Sequence, residues 1–232
     1  AAHDVPGIAR VRLGSLEPRT ITEEFCRRAA VLPNLCPHFH LSLQSGCDAT
    51  LRRMNRHYDT AFYRSLCQTL RERFGGADGC AITTDVMVGF PGETAEEFAQ
   101  SLSFVEDIGF AKVHVFAYSR REGTPAASAQ GQISSAEKQQ RSHAMMEAAS
   151  RGTRRFLSAQ VGRVEEVLLE ARGADGLSHG FTANYTPVRI GCKTASPGQM
   201  VPIRITGVDG EECVAIPALT EDESGGVGFP SV

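Results

Sequence analysis

Residues 81–97, AITTDVMVGFPGETAEE, contain the pattern that decides the fold of this chain. In the first half, apolar residues such as Ile82 and Val86 recur at every second position, and Asp85 and Met87 lie between them. A period of two predicts a β-strand, because successive side chains of a strand point to opposite faces. The stretch therefore predicts a buried strand whose second face is partly polar.

The second half of the stretch predicts a tight turn and a helix start. A Phe-Pro-Gly turn follows Gly89, and Thr94 stands three residues before Glu97, the spacing of a helix capping box. In α/β folds, ligands usually bind at the carboxyl ends of the strands, where such turns lie. The alternative is that the glycines serve only the turn geometry, and this stretch alone leaves both interpretations open.

Residues 10–118 repeat this strand and helix alternation. Further strands are predicted at Arg10–Leu13, His38–Gln44 and Lys112–Tyr118. Helices are predicted between them at about 20–32, 60–74 and 95–107, the first with a capping box at Thr20 and Glu23 and the second with a buried stripe of Phe62, Leu66, Leu70 and Phe74. Strands alternating with helices at this spacing indicate parallel βαβ units, and hence four strands of an incomplete α/β barrel or open sheet.

The strand at His38–Gln44 has a polar face. His38, His40, Ser42 and Gln44 alternate with three apolar residues. If the apolar set packs against helices, the polar set points into the interior of a barrel. The alternative is an edge strand with one solvated face. His114, on the last strand, is interpreted as a packed core histidine.

Six arginines give residues 50–73 a net charge of +4, which fits either a phosphate or carboxylate contact or an ordinary solvated helix face. A long helix is predicted from Ser134 to about residue 160. Beyond it, short β segments at 164–170, 181–190, 200–208 and 213–219 predict a small all-β barrel. The predicted division is 1–135 (α/β core), 136–161 (connecting helix), 162–219 (β-barrel) and 220–232 (disordered tail).

Composition limits the functional classes. The chain has 232 residues and a net charge of −3, so no global basic field marks a nucleic-acid partner. No apolar run approaches the roughly 20 residues of a membrane span, so no membrane partner is expected. The seven cysteines are separated by ten positions or more, which excludes a CxxC or CxxxCxxC cluster among these residues. This scattered, odd set fits a reducing compartment, and we expect a cytoplasmic location.

Four strings together resemble the radical S-adenosylmethionine methylthiotransferases. They are RVRLGSLEP at 10–18, CPHFHLSLQSGCDATLRRMNRHY at 36–58, TTDVMVGFPGET at 83–94 and VHVFAYSRREGTPAA at 113–127. The motifs HFHLSLQSGCD and SRREGTPAA favour the branch of this family that modifies N6-threonylcarbamoyladenosine in tRNA over the branches that act on isopentenyladenosine or a ribosomal-protein aspartate. The resemblance covers nearly the whole chain. It implies a partial TIM-type radical SAM barrel with parallel strands, followed by a TRAM β-barrel.

The resemblance also implies a cofactor site and an RNA surface. S-adenosyl-L-methionine would be bound by Ser15, Glu17, Ser42, Gln44, Arg56, Asp85, Met87, Gly89, Glu93, Phe116 and Tyr118. Arg56 would pair the methionine carboxylate, and Gly89 would let the backbone approach the adenine. The tRNA substrate would be bound by Arg121, Phe181, Asn184, Tyr185, Arg189 and Lys193.

The family's cluster-binding CxxxCxxC segment has no counterpart in these 232 residues. We therefore expect the chain to be a fragment, inactive by itself, of an enzyme that holds two 4Fe–4S clusters through residues upstream of it. The full enzyme would be a monomer served by an electron donor such as flavodoxin or ferredoxin. The alternative from another functional class is a non-catalytic RNA-binding protein.

Overall fold

The computed structural model describes residues 4–191 and 196–218. It divides into two compact units, with the boundary between Phe156 and Leu157. The elements of the first unit are β1 (Ser15–Leu16), α1 (Glu23–Ala29), β2 (His38–Leu41), α2 (Asp48–Arg53), α3 (Thr60–Arg73), α4 (Gly76–Gly79), β3 (Ala81–Val88), α5 (Ala95–Ile108), β4 (Lys112–Ala117), α6 (Pro125–Ser128) and α7 (Ser135–Ser158), within which the boundary falls. The predicted tail at 220–232 lies outside the described residues.

The first unit is built on a four-stranded sheet in the order β1-β2-β3-β4, and every pair is parallel. The βαβ prediction is confirmed, but the position of the first strand was wrong. Residues 10–13 do not form it: Val11 makes only an isolated bridge with Leu35, in the loop before β2. The ladder with β2 begins at Ser15, which pairs with His40.

The apolar faces of β2 and β3 form the core with the helices. Phe39, Leu41 and Val86 are completely buried, as is Tyr63 of α3. The hydroxyl of Tyr63 donates a hydrogen bond to the Leu41 carbonyl at 3.0 Å, so this buried polar atom is satisfied. The alternation read from residues 81–88 is confirmed, because Asp85 and Met87 alone in β3 are half-buried.

Helix α3 shows where the sequence pattern misled. Phe62 is 41% exposed, whereas Tyr63, Leu66 and Leu70 are buried. A strict spacing of four residues advances about 40° beyond a full turn at each step, so Phe62 lies off the core face that Leu66 and Leu70 share. The buried stripe instead begins one residue later and alternates steps of three and four.

The helix starts were predicted with mixed success. Thr94 and Glu97 form the predicted capping box of α5, and Gly109 ends that helix with φ +63°. The predicted box at Thr20 is wrong, because the cap of α1 is Thr22, whose hydroxyl accepts from the Phe25 N–H at 3.1 Å. The Thr20 hydroxyl instead donates to the Glu17 carbonyl in the 3₁₀ turn Pro18–Thr20.

The second unit is a closed five-stranded barrel in the order β5-β6-β7-β9-β8. Its strands are β5 (Val164–Arg172), β6 (Ser178–Phe181), β7 (Pro187–Ile190), β8 (Met200–Asp209) and β9 (Glu212–Pro217). The single segment predicted at 181–190 is two strands, because the chain turns at Tyr185, which has φ +63°. None of the helices in the described part of the chain combines the length and apolarity that crossing a bilayer requires.

Candidate ligand site at the strand ends

Polar side chains of three adjacent strands meet on one face of the sheet, which we call the polar face. It carries His40 of β2, Thr83 and Asp85 of β3 and His114 of β4, with His40 opposite Thr83 and Asp85 opposite His114 in the ladders. The His40 Nε2 lies 3.4 Å from an Asp85 carboxylate oxygen, and the two imidazole rings are 5.9 Å apart. Since β2 lies between β1 and β3, the edge-strand alternative is excluded. The interpretation of His114 as a core residue was wrong, because it is exposed on the polar face.

A second histidine orients the first. Thr83 Oγ1 lies 3.0 Å from His40 Nδ1 and 3.3 Å from His38 Nε2, so the hydroxyl links the two rings. Burial, together with the charges of Arg12 and His40, lowers the pKa of His38 to about 4. His38 is therefore neutral near pH 7, and the network holds the His40 ring by Nδ1 with Nε2 directed towards Asp85.

Gln44 lies where the polar row leaves β2, and its backbone is strained. Its φ is +69°, in the left-handed region that non-glycine residues rarely adopt. Its N–H donates to the Asp85 carbonyl and its carbonyl accepts from the Met87 N–H, both at 2.9 Å. Such strain costs on the order of 1–3 kcal/mol and concentrates at ligand sites. These bonds pair the backbone that follows β2 with β3, at a residue predicted to bind the cofactor.

Glu17 and Arg56, both predicted cofactor ligands, are brought together by the fold. An Arg56 guanidinium nitrogen lies 3.2 Å from a Glu17 carboxylate oxygen, and both side chains are partly exposed. Nearby, the Tyr58 hydroxyl donates to the carbonyls of Ser42 and Leu43 at 2.6 and 3.0 Å. Burial raises the pKa of Tyr58 to about 12, so it remains a donor that fixes the backbone after β2.

The turn after β3 is held from within the protein. The Glu93 carboxylate accepts from the Gly89 N–H at 2.7 Å and from Arg141 at 2.6 Å, and its side chain is 1% exposed. A Cβ on Gly89 would overlap the alkyl chain of Lys138. In the structure, Gly89 and Glu93 shape the turn against α7. Their contact with a cofactor stays a prediction.

Tyr118 follows β4 beside this turn. Its ring is 7% exposed and packs edge-to-face on Phe90 at 5.4 Å. Lys138 Nζ donates to the Tyr118 carbonyl at 2.9 Å. Within the part of the chain that the structure describes, the buried Tyr118 hydroxyl has no hydrogen-bond partner. An unsatisfied buried hydroxyl is costly and is a reason to look for a ligand that completes it.

Apolar side chains lie between these polar groups. Met87 and Phe116 are opposite each other in the β3–β4 ladder, and Phe116 is 52% exposed. Arg121 is exposed in the loop after β4. The exposed Phe116 ring and the half-buried Met87 thioether together form an apolar surface of the kind that packs against planar rings.

The described cysteines do not fit an iron–sulfur cluster. Cys26, Cys36, Cys47, Cys67, Cys80 and Cys213 are all buried. Burial raises the pKa of both Cys67 and Cys80 to about 12, which disfavours the thiolate that a cluster requires. Among residues 4–191 and 196–218, the group of potential metal ligands that the fold assembles is His40, Asp85 and His114.

The predicted RNA contacts in the barrel unit have different surroundings. Phe181 and Tyr185 stack with centroids 4.2 Å apart and planes within 15°. Asn184 is buried and its amide is satisfied by Gln160, Thr182 and Thr186, so it holds the turn. Arg189 is ion-paired with Asp209. Lys193 lies outside the described residues.

Residues 6–105 match the model of the radical SAM superfamily. Three similar curated proteins, from Symbiobacterium thermophilum, Desulfosudis oleivorans and Akkermansia muciniphila, are each named tRNA-2-methylthio-N(6)-dimethylallyladenosine synthase. Their identities are 38%, 37% and 34% over 87%, 78% and 94% of this chain, and over 43%, 38% and 47% of the relatives.

The chain thus spans less than half the length of these relatives. A solved structure titled as coproporphyrinogen III oxidase (HemN) from Escherichia coli, a radical SAM enzyme, aligns at a TM-score of 0.45 and 20% identity, over 66% of this chain and 34% of that one. That likeness is too distant to carry an argument. The sequence matches show that residues 6–105 are similar to the radical SAM superfamily and that the chain is similar to proteins named tRNA-2-methylthio-N(6)-dimethylallyladenosine synthase.

Proposed function

We propose that this chain is part of a tRNA-modifying enzyme that uses S-adenosylmethionine to place a methylthio group on C2 of an N6-modified adenosine next to the anticodon. The observation that carries the proposal is the similarity to proteins named as tRNA methylthio synthases, at 34–38% identity over 78–94% of the chain. That similarity extends beyond the radical SAM match at 6–105.

Two observations favour two different substrates. The motifs at 38–48 and 119–127 favour N6-threonylcarbamoyladenosine, which is our first choice. The names of the three relatives favour N6-dimethylallyladenosine. The two products differ in mass, so one measurement distinguishes them.

In this proposal the strand ends hold the cofactor. Met87 and the exposed Phe116 would contact the adenine, and Gln44 would offer its side-chain amide to the ribose or methionine. Ser42 lies beside it after β2. Arg56 would share its guanidinium between Glu17 and the methionine carboxylate, a bidentate geometry that suits arginine.

Asp85 would have a different role from these cofactor contacts. Its carboxylate is half-buried on the polar face, two residues before Met87, whose ladder partner is Phe116. It would therefore accept a hydrogen bond from the substrate or cofactor, or a proton released during the reaction. S-adenosylmethionine, when bound, supplies both the radical and the methyl group. In this proposal the iron–sulfur clusters would be held by residues outside this 232-residue chain, and the electron donor would be a flavodoxin- or ferredoxin-type protein.

The barrel unit would contact the tRNA in the manner of a TRAM domain. Its net charge is −2 over residues 162–218, so phosphate attraction over the whole unit is weak. The stacked Phe181 and Tyr185 offer an aromatic surface, and unpaired bases of RNA loops bind to such surfaces.

The test is reconstitution of the protein from its complete reading frame, without oxygen, with iron, sulfide, a reductant and S-adenosylmethionine. It is mixed with tRNA carrying either N6-threonylcarbamoyl- or N6-dimethylallyladenosine, and the nucleosides are analysed by mass spectrometry. We expect a methylthio product with one of the two and loss of product in Asp85→Asn. A protein that binds tRNA and forms no methylthio product would support the non-catalytic alternative and overturn the proposal.

A further inference from the structure

We propose that His40, Asp85 and His114 form a binding site for one divalent transition-metal ion, with Zn²⁺ as the reference ion. One ligand atom from each residue lies within 4.8 Å of the others. Ligand atoms bound tetrahedrally to zinc at about 2.0–2.1 Å are roughly 3.3 Å apart. The His40 Nε2 and the Asp85 oxygen already lie 3.4 Å apart, so one of the three ligand–ligand distances already matches.

The backbone fixes where the three ligands start. His40, Asp85 and His114 lie on β2, β3 and β4, which are hydrogen-bonded neighbours in one parallel sheet. Asp85 and His114 are opposite each other in the β3–β4 ladder, and His40 is one diagonal step away on β2. Rotation of the exposed His114 side chain about its own bonds is therefore the movement needed to close the site. Ligands on strands hold their geometry better than ligands on loops.

The neighbouring hydroxyl prepares His40 for metal binding. Thr83 Oγ1 is 3.0 Å from Nδ1, which leaves Nε2 as the atom that faces Asp85. Metal-binding histidines usually have the second ring nitrogen hydrogen-bonded in this way, because the bond fixes the tautomer and the ring orientation. Thr83 is in turn held by the buried His38 at 3.3 Å.

The donor set indicates the class of ion. Two imidazoles and one carboxylate suit Zn²⁺, Fe²⁺ or Co²⁺, whereas Mg²⁺ and Ca²⁺ prefer oxygen ligands throughout. The side chains of His40 and Asp85 are 16% and 32% exposed, so an ion can reach them from solvent. Three protein ligands leave at least one coordination position for water or a solute group. The inference rests on these three side chains and not on the proposed function, and it makes the Asp85 carboxylate a metal ligand instead of the acceptor described there.

The test is titration of the tag-free, chelator-treated chain with Co²⁺, followed by absorption spectroscopy, and with Zn²⁺, followed by calorimetry. We expect one equivalent to bind with the visible bands of cobalt in nitrogen and oxygen ligands. His114→Ala, an exposed residue whose replacement leaves the core intact, should weaken binding at least tenfold, and His40→Ala and Asp85→Ala likewise. Thr83→Val should weaken it about tenfold, since it removes the group that orients His40.

His143→Ala is the matched control, because this histidine is exposed on α7 and faces Glu147 at 3.3 Å. Its affinity for metal should equal that of the parent chain, and circular dichroism should show that every variant is folded. Three results would overturn the proposal: binding that does not saturate at one equivalent, equal affinity in the His114→Ala variant, or a sulfur-to-cobalt charge-transfer band. The last would place the metal on a cysteine.

Discussion

Arg141 of α7 and Glu93 of the turn after β3 form an ion pair that is almost completely buried. An Arg141 guanidinium nitrogen lies 2.6 Å from a Glu93 oxygen, and the two side chains are 6% and 1% exposed. The same guanidinium donates to the Glu93 carbonyl at 2.9 Å and also pairs with Glu137. Because Glu93 in turn accepts from the Gly89 N–H, α7 fixes the turn that ends β3.

Arg141→Ala should destabilise the first unit by about 3–5 kcal/mol, because it leaves the Glu93 carboxylate buried without its partner. Arg151→Ala is the control: the same helix pairs Arg151 with Glu106 at the surface, with side chains 51% and 40% exposed, and that change should cost less than about 1 kcal/mol. Urea unfolding followed by the helical circular dichroism signal measures both. Equal losses would show that the buried pair does not hold the turn.

His38 should make the stability of the first unit depend on pH. Its pKa is lowered from 6.5 to about 4 in the fold, mainly by burial. Between those pH values, His38 binds a proton in the unfolded chain but not in the folded chain. The free energy of unfolding is therefore highest above pH 6.5, where His38 is neutral in both states. It falls by roughly 3 kcal/mol in total as the pH drops from 6.5 towards 4.

His38→Gln should reduce the slope of the unfolding free energy against pH between pH 4 and 6.5. The reduction should correspond to the uptake of at most one proton. His143→Gln, at an exposed position, should keep the slope of the parent chain. Urea unfolding at a series of pH values gives the slopes. If the parent and the His38→Gln variant have the same slope, His38 is not buried in its neutral form.

Tyr118→Phe separates ligand binding from stability. Removal of a buried hydroxyl that lacks a partner among the described residues should leave the unfolding free energy unchanged or slightly raised. Tyr58→Phe, which removes a hydroxyl bonded to two carbonyls, should cost about 1–3 kcal/mol.

The same Tyr118→Phe change should weaken S-adenosylmethionine binding by the complete, reconstituted protein about two- to tenfold, the value of one net hydrogen bond. Calorimetric titration without oxygen measures this. Unchanged affinity together with lost stability would mean that the hydroxyl has a structural partner and no role in the cofactor site.

Phe181→Ala should weaken RNA binding by the barrel unit. Removing one base-stacking aromatic costs about 1–3 kcal/mol of binding free energy. Phe62→Ala is the control, because this ring is 41% exposed on α3 of the first unit. Fluorescence anisotropy with a labelled anticodon stem–loop RNA measures the affinities. If both variants bind as tightly as the parent chain, the Phe181–Tyr185 stack is not the RNA-contacting surface.

The fold was predictable wherever short-range pattern decides it. The period of two at residues 81–88 and the capping box at Thr94 are encoded within a few neighbouring residues, and both are confirmed. The side-chain relationships that build the site are not local. Arg141 and Glu93 are 48 residues apart, and the grouping of His40, Asp85 and His114 depends on strand register, which the sequence does not state.

Burial also changed the meaning of single residues. Gly89 and Glu93 stand in the most informative motif of the sequence, yet Lys138 and Arg141 occupy the space around them. The motif alone could not predict this packing, because α7 is distant from the turn in the sequence.

The proposal that the protein containing this chain methylthiolates tRNA can be tested through the nucleoside content of tRNA from cells that lack the gene. Mass spectrometry should show loss of 2-methylthio-N6-threonylcarbamoyladenosine with accumulation of the unthiolated nucleoside. The complete gene should restore the product, and an Asp85→Asn copy should not. Loss of the dimethylallyl product instead would change the substrate. Unchanged levels of both methylthio nucleosides would contradict the account.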